Sequence, residues 1–155
     1  MKDVVGSPGT WSGLALRVSQ CLCAAASFTT MWFADGSEHY SAFWFMAISM
    51  EMLFFWSFTR AWVDITSLRN NIDLHNLDHV CMVLVYDWLA AFMSFASTAA
   101  SAGVAIYLER DFNHCKTNPH LSCGQYKLSV ILASMTWSFI AASATASFWL
   151  MASLI

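Results

Sequence analysis

Three ionisable side chains stand inside long apolar stretches of this sequence: Arg17, Glu51 and Asp87. A charge at the centre of a membrane helix costs roughly 2.5–3.5 kcal/mol on insertion scales, so each of these residues needs a partner or a task. Opposite charges in a low-dielectric interior satisfy one another, and a guanidinium and a carboxylate do so through a forked pair of hydrogen bonds. Glu51 is different: it is an isolated carboxylate near the centre of its stretch, with Ser49 and Met52 beside it. A desolvated carboxyl has a raised pKa. Glu51 therefore reads either as an intramembrane proton or cation site, or as a group bonded to a Ser or Thr of another helix.

A second cluster lies in a polar stretch: His114 and Cys115, then His120, then Cys123. Two Cys and two His can bind zinc tetrahedrally, but this spacing matches no metal motif. A disulfide between Cys115 and Cys123 is the simpler reading and would place the loop in an oxidising compartment; free thiols are the alternative. Cys21, Cys23 and Cys81 fall in or near apolar stretches and read as reduced packing residues. No nucleophile with a base, phosphate loop, paired catalytic carboxylates or metal-binding His pair occurs. The expectation is a protein that is not an enzyme and holds neither cofactor nor metal.

The elements that must position these residues follow from composition. Of 155 residues 58% are hydrophobic and only 11% charged, with a mean hydropathy of +0.53, against about 25% charged in a soluble domain. The net charge of −3 lacks the basic footprint that nucleic acid requires. About 20 predominantly apolar residues cross a bilayer as a helix. Four stretches qualify, at about 12–33, 40–63, 80–108 and 128–155, and they predict an all-α, four-transmembrane-helix bundle forming a single domain. Backbone groups in lipid must be satisfied within the segment, which favours helices over strands. The links, Ala34–His39, Asp64–His79 and Glu109–Lys127, are polar. Trp11, Trp32, Tyr40, Trp44, Trp62, Tyr107, Tyr126 and Trp149 fall near stretch ends, as interfacial aromatics do. Trp56, Trp88 and Trp137 lie deeper and read as packing residues.

An even number of spans puts both termini on one side. Lys2, Arg60 and Arg69 lie there, against Arg110, Lys116 and Lys127 opposite, so the positive-inside rule gives a tie. The first and third stretches run in the same direction. At 1.5 Å per residue, Arg17 lies about 7 Å along its helix and Asp87 about 10 Å along its own, both on the terminus side. That difference is within the reach of an Arg side chain, and an Arg17–Asp87 ion pair is the expectation; the alternative for Arg17 is to snorkel to the interface. Small residues at four-residue spacing permit close helix approach in lipid. They occur at Ala15, Ser19, Cys23 and Ser27; at Ala90, Ser94, Thr98 and Ala102; and at Ser134, Ser138, Ala142 and Ala146. These seams could pack the bundle or join subunits.

With Arg17 and Asp87 in place, the chain resembles the CASP-like proteins of plants, relatives of the Casparian strip membrane domain proteins. The resemblance rests on MKDVVGSPGTWSGLALRVSQC at the start, YDW around Asp87, and SCGQYKLSVILASMTWSFIA from Cys123 onward. That family is similar in its four spans, cytosolic termini, and Arg and Asp in spans one and three. The resemblance implies a multi-pass plasma-membrane scaffold in contact with membrane lipid. It further implies self-association, as a homo- or hetero-oligomer with related members, and recruitment of cell-wall-modifying enzymes. The link Ala34–His39 does not look like the first outer loop of the Casparian strip proteins proper, so the expectation carried over is a general scaffold rather than an endodermal barrier. Glu51 matches no family motif, and a channel or transporter subunit using Glu51 is the rival reading.

Overall fold

The computed structural model describes residues 5–6, 9–35, 37–71, 76–110 and 123–155. Among them are four long helices: α1 (Trp11–Trp32), α2 (Ser41–Asn70), α3 (Leu77–Arg110) and α4 (Cys123–Leu154). A short 3-10 turn, Ser37–His39, joins α1 to α2. The helices form a square in which α1 packs on α2 and α4, and α3 packs on α4 and, less closely, on α2. Gly6 lies against Ala146, so the start of the chain and the end of α4 share one end of the bundle.

The helix boundaries have local causes. Thr10 caps α1 by accepting a hydrogen bond at its side-chain oxygen from the Gly13 amide, 3.1 Å away, which satisfies one of the four orphan donors at a helix start. Asn71 ends α2 in the left-handed region (φ 50°, ψ 39°), its amide bonded to the Ser67 carbonyl; Asn is one of the few residues other than Gly that stops a helix this way. The sequence placed Asp64 and Ser67 in a polar link. The helix instead continues through both, because apolarity marks where a span leaves the bilayer and not where its backbone hydrogen bonding ends.

Helices α2, α3 and α4 are each long and apolar enough to cross a membrane. Their outward faces carry large apolar side chains such as Phe55, Leu89, Phe92, Ile131 and Phe148, the inverse of a soluble bundle. The protein is a helical membrane bundle. At 22 residues α1 is the shortest of the four, still about 33 Å long at 1.5 Å per residue, but Arg17, Gln20 and its hydroxyl residues lower its apolarity, and it lies outside the set that qualifies by composition. Those polar groups point inward: Arg17, Gln20 and Ser27 are all buried.

The small-residue seams are realised unevenly. Ser94 and Thr98 of α3 face the core, whereas Ser138 and Ala142 of α4 are exposed. The face α4 turns inward carries Ser129, Ala133, Thr136, Ile140, Ser143 and Ser147. Ser and Ala surround α4 on every side, so four-residue spacing can be found on any face and does not choose one. Of the aromatic residues expected near the stretch ends, Trp11, Trp32, Trp44, Trp62, Tyr107 and Trp149 are exposed. Tyr126 is an exception: it is buried, stacked on Phe43 with ring centroids 4.7 Å apart, and its hydroxyl donates to the Asp35 carbonyl.

Candidate functional site

Asp87 is the point where all four helices meet. Its carboxylate is 0% exposed and the Arg17 side chain 1%. Arg17 of α1 reaches it with both terminal nitrogens: Nη1 lies 3.4 Å from Oδ1 and 3.2 Å from Oδ2, and Nη2 lies 3.2 Å from Oδ2. From α2 the Trp56 indole Nε1 donates to Oδ1 at 2.9 Å. From α4 the Ser143 hydroxyl donates to Oδ2 at 3.4 Å. A charge pair removed from water repays its desolvation only when its remaining lone pairs are also bonded, and Trp56 and Ser143 supply those bonds. The expected Arg17–Asp87 pair is therefore present, buried, and joined by two donors that the sequence reading assigned to packing or left unremarked.

A second charged group lies closer to the terminus end, and the sequence reading missed it. Arg60 was counted among boundary charges and Asp64 among link residues, yet they are 3% and 0% exposed. The Gly9 amide donates to Asp64 Oδ1 at 3.1 Å. Arg60 Nη1 lies 3.4 Å from His79 Nε2; a guanidinium can only donate, so that ring nitrogen accepts. Arg17 and Asp87 are both within electrostatic reach of Arg60 and of Asp64. Two cations and two carboxylates thus share one end of the core. The signal in the sequence was spacing: Ser57, Arg60 and Asp64 fall three and seven residues apart, on one helical face, and Gln20 follows Arg17 by three.

The remaining predicted residues lie elsewhere. Glu51 is exposed on α2, five residues or about 7 Å along the helix from Trp56, and it does not join the Asp87 cluster. Cys123 is the first residue of α4; Cys115, His114 and His120 lie outside the described residues. Cys21, Cys23 and Cys81 are free thiols; the first two are half-buried, whereas Cys81 is exposed and does not pack as expected.

What this arrangement does chemically is hold helices together. A carboxylate accepting five contacts from four donor atoms of three helices has little capacity left for a substrate, and it is 0% exposed.

No solved structure matches the chain. Among curated proteins, it is 56% identical to CASP-like protein 5B3 of Oryza sativa subsp. indica over 154 residues, covering 99% of this chain and 100% of that protein. It is 42% identical to CASP-like protein 5B1 of the same rice, again over 99% of this chain and 100% of the relative. Identity to CASP-like protein 5B2 of Arabidopsis thaliana is 39%, with 99% of each chain covered. The Casparian strip membrane protein domain matches residues 6–139. With an inward-facing Arg in the first helix, an Asp in the third, and relatives aligned end to end, this chain belongs to the CASP-like family of membrane proteins.

Proposed function

We propose that the protein is a non-enzymatic scaffold of the plasma membrane, with α1 as its fourth span and its termini in the cytosol. It associates with itself and with related members as a homo- or hetero-oligomer, and it recruits cell-wall-modifying enzymes to the domains so formed. The observation that carries this reading is the Asp87 junction. The most expensive groups in the chain are spent on joining helices, in a site without room for a reactant. A Cys115–Cys123 disulfide would brace the outer link in the same spirit, and free-thiol counts of the wild type and Cys115→Ser test it: of the five cysteines, a bridge between these two leaves three free, rising to four in the variant, whereas five falling to four removes the bridge.

The scaffold reading is tested by lateral mobility and complex size together. Fluorescently tagged protein in a plant plasma membrane is expected to recover slowly after photobleaching and to purify as a multimer. Freely diffusing, monomeric protein would contradict self-association. In liposomes the purified protein is expected to carry no proton or cation flux; a flux abolished by Glu51→Gln would replace the scaffold with a transport subunit.

A further inference from the structure

Where α1 ends and α2 begins, at the end of the bundle away from the termini, a cavity of about 380 Å³ opens between the two helices. That lies within the range of roughly 300–1,000 Å³ of small-molecule sites. Trp32, the last residue of α1, and Trp44, in the first turn of α2, both line it. Their ring centroids are 6.1 Å apart and their planes are tilted by 32°. Phe28 packs against Trp32 with centroids 5.6 Å apart, which holds that ring in place. Ser37 and Glu38 of the 3-10 turn form the polar side, and among the described residues no basic side chain lines the cavity. The Glu38 carboxylate is exposed and has neither an ion pair nor a hydrogen bond among the described residues.

Interfacial tryptophans commonly serve as anchors and nothing more. Here two of them share a cavity with an uncompensated carboxylate, and that combination has a chemistry of its own. The face of an aromatic ring attracts a cation placed within about 6 Å of its centroid, Trp most strongly. A carboxylate beside the rings adds a full opposite charge. The cavity is therefore complementary to a cation and repels an anion.

The rest of the lining selects the kind of cation. A primary ammonium carries three N–H donors that each require an acceptor, and the only side-chain oxygens on the cavity are those of Ser37 and Glu38. A trimethylammonium group has no N–H to satisfy and presents methyl groups to the indole faces, the chemistry of aromatic cages for choline. Deeper in, the wall is apolar: Met31, Phe43 and Ala47 are all buried. Ala47 stands three residues beyond Trp44 on α2, about 4.5 Å further into the membrane. Polarity thus falls along the membrane normal, from Glu38 in the link to Ala47 within the helix. A lipid has the same order, with its charged head outermost and hydrocarbon beneath. A free amine has no use for the apolar floor.

We propose that Trp32, Trp44 and Glu38 bind the headgroup of a choline phospholipid, with the upper part of an acyl chain against Met31, Phe43 and Ala47. The protein then selects a lipid at its rim as well as holding its own helices together.

The test is native mass spectrometry of the purified full-length protein, titrated in detergent with an equimolar mixture of dioleoyl phosphatidylcholine, phosphatidylethanolamine and phosphatidylglycerol. The wild type is expected to retain phosphatidylcholine about tenfold over phosphatidylglycerol. Trp44→Leu removes one aromatic face and is expected to cut that preference about fivefold, and Trp44→Phe, which keeps a weaker face, to cut it less. Glu38→Gln is expected to cut it by a similar factor, and Glu38→Lys to invert it in favour of phosphatidylglycerol. Because Glu38 is exposed on the link, its variants remain readable even where Trp44→Leu fails to fold. Trp62→Leu removes an exposed tryptophan that does not line the cavity and leaves the preference unchanged. Wild-type protein that retains the three lipids equally overturns the proposal. So does a preference for phosphatidylcholine that survives both Trp44→Leu and Glu38→Gln in monodisperse protein. Glycerophosphocholine displacing the lipid at equal concentration would show a site for the free headgroup and overturn the part given to the acyl chain.

Discussion

At the end of the bundle away from the termini, Ser27 of α1 and Ser129 of α4 hold each other: each hydroxyl donates to the other's carbonyl, at 2.9 and 2.8 Å. Nearby, Ser101 of α3 donates to the Ala42 carbonyl of α2, Tyr126 to the Asp35 carbonyl, and Phe43 fills the space between with Met46 and Met50. No buried group there is charged: the Glu109–Lys127 ion pair, 2.7 Å long, is half-exposed, and of the buried hydroxyls only that of Thr98 lacks a partner among the described residues. At the terminus end, two Arg, two Asp, a Gln and several hydroxyls share the core; Arg17 and Ser143 bond to Asp87, Asp64 and Arg60 hold Gly9 and His79 through one atom each, and several other polar atoms have no partner among the described residues. Lipid provides no hydrophobic drive between helices, so each end must supply its own adhesion. The far end relies on hydroxyl-to-carbonyl hydrogen bonds and apolar packing, which are local. The terminus end relies on charge, which acts between all four helices at once and is costly whenever one member is missing. A bundle with one end of each kind has a stiff half and a half whose stability depends on completeness.

The largest effect that comparison predicts is at the junction. Arg17→Leu or Asp87→Leu strands a buried charge and is expected to lose about 3–5 kcal/mol, read as loss of a monodisperse peak and failure to reach the plasma membrane. Arg60→Leu should cost less, about 1–2 kcal/mol, because Nε and Nη2 have no partner to lose and the packing of its stem is partly kept; a loss equal to that of Arg17→Leu would mean that the two ion groups form one unit. At the far end Ser129→Ala should cost about 1 kcal/mol, the size of an interhelical hydrogen bond in lipid. Tyr126→Phe should cost a similar amount or less, since stacking on Phe43 survives. Glu51→Gln should change stability least, by under about 0.5 kcal/mol, as its side chain is exposed and bonds nothing among the described residues. Thermal unfolding in one detergent ranks all of these, and an inverted order would refute the contrast between the two ends.

Much of this was legible in the sequence, and for a physical reason. Lipid forces helices and sets their length, so the four predicted stretches match α1 to α4 within a few residues except at the far end of α2 and the start of α4. Two parallel stretches also share a depth scale, which is why Arg17 and Asp87 could be paired by arithmetic. Arg60 and Asp64 escaped because hydropathy reads charge near a span end as interfacial, whereas the helix carries them on, rotated inward. Trp56 escaped because an indole serves equally as packing and as donor, and only the third dimension distinguishes them. The inward face of α4 escaped because a helix of Ser and Ala offers no contrast between its sides.

The central claim is that Arg17 and Asp87 hold the bundle together as a unit. A double-mutant cycle tests it most directly: unfolding free energies of the wild type, Arg17→Leu, Asp87→Leu and the double variant. If the junction works as described, the double variant is no less stable than either single, because removing both charges leaves none stranded, and the coupling reaches at least about 2 kcal/mol. Losses that simply add would contradict the account, and would mean that each residue serves the bundle without the other.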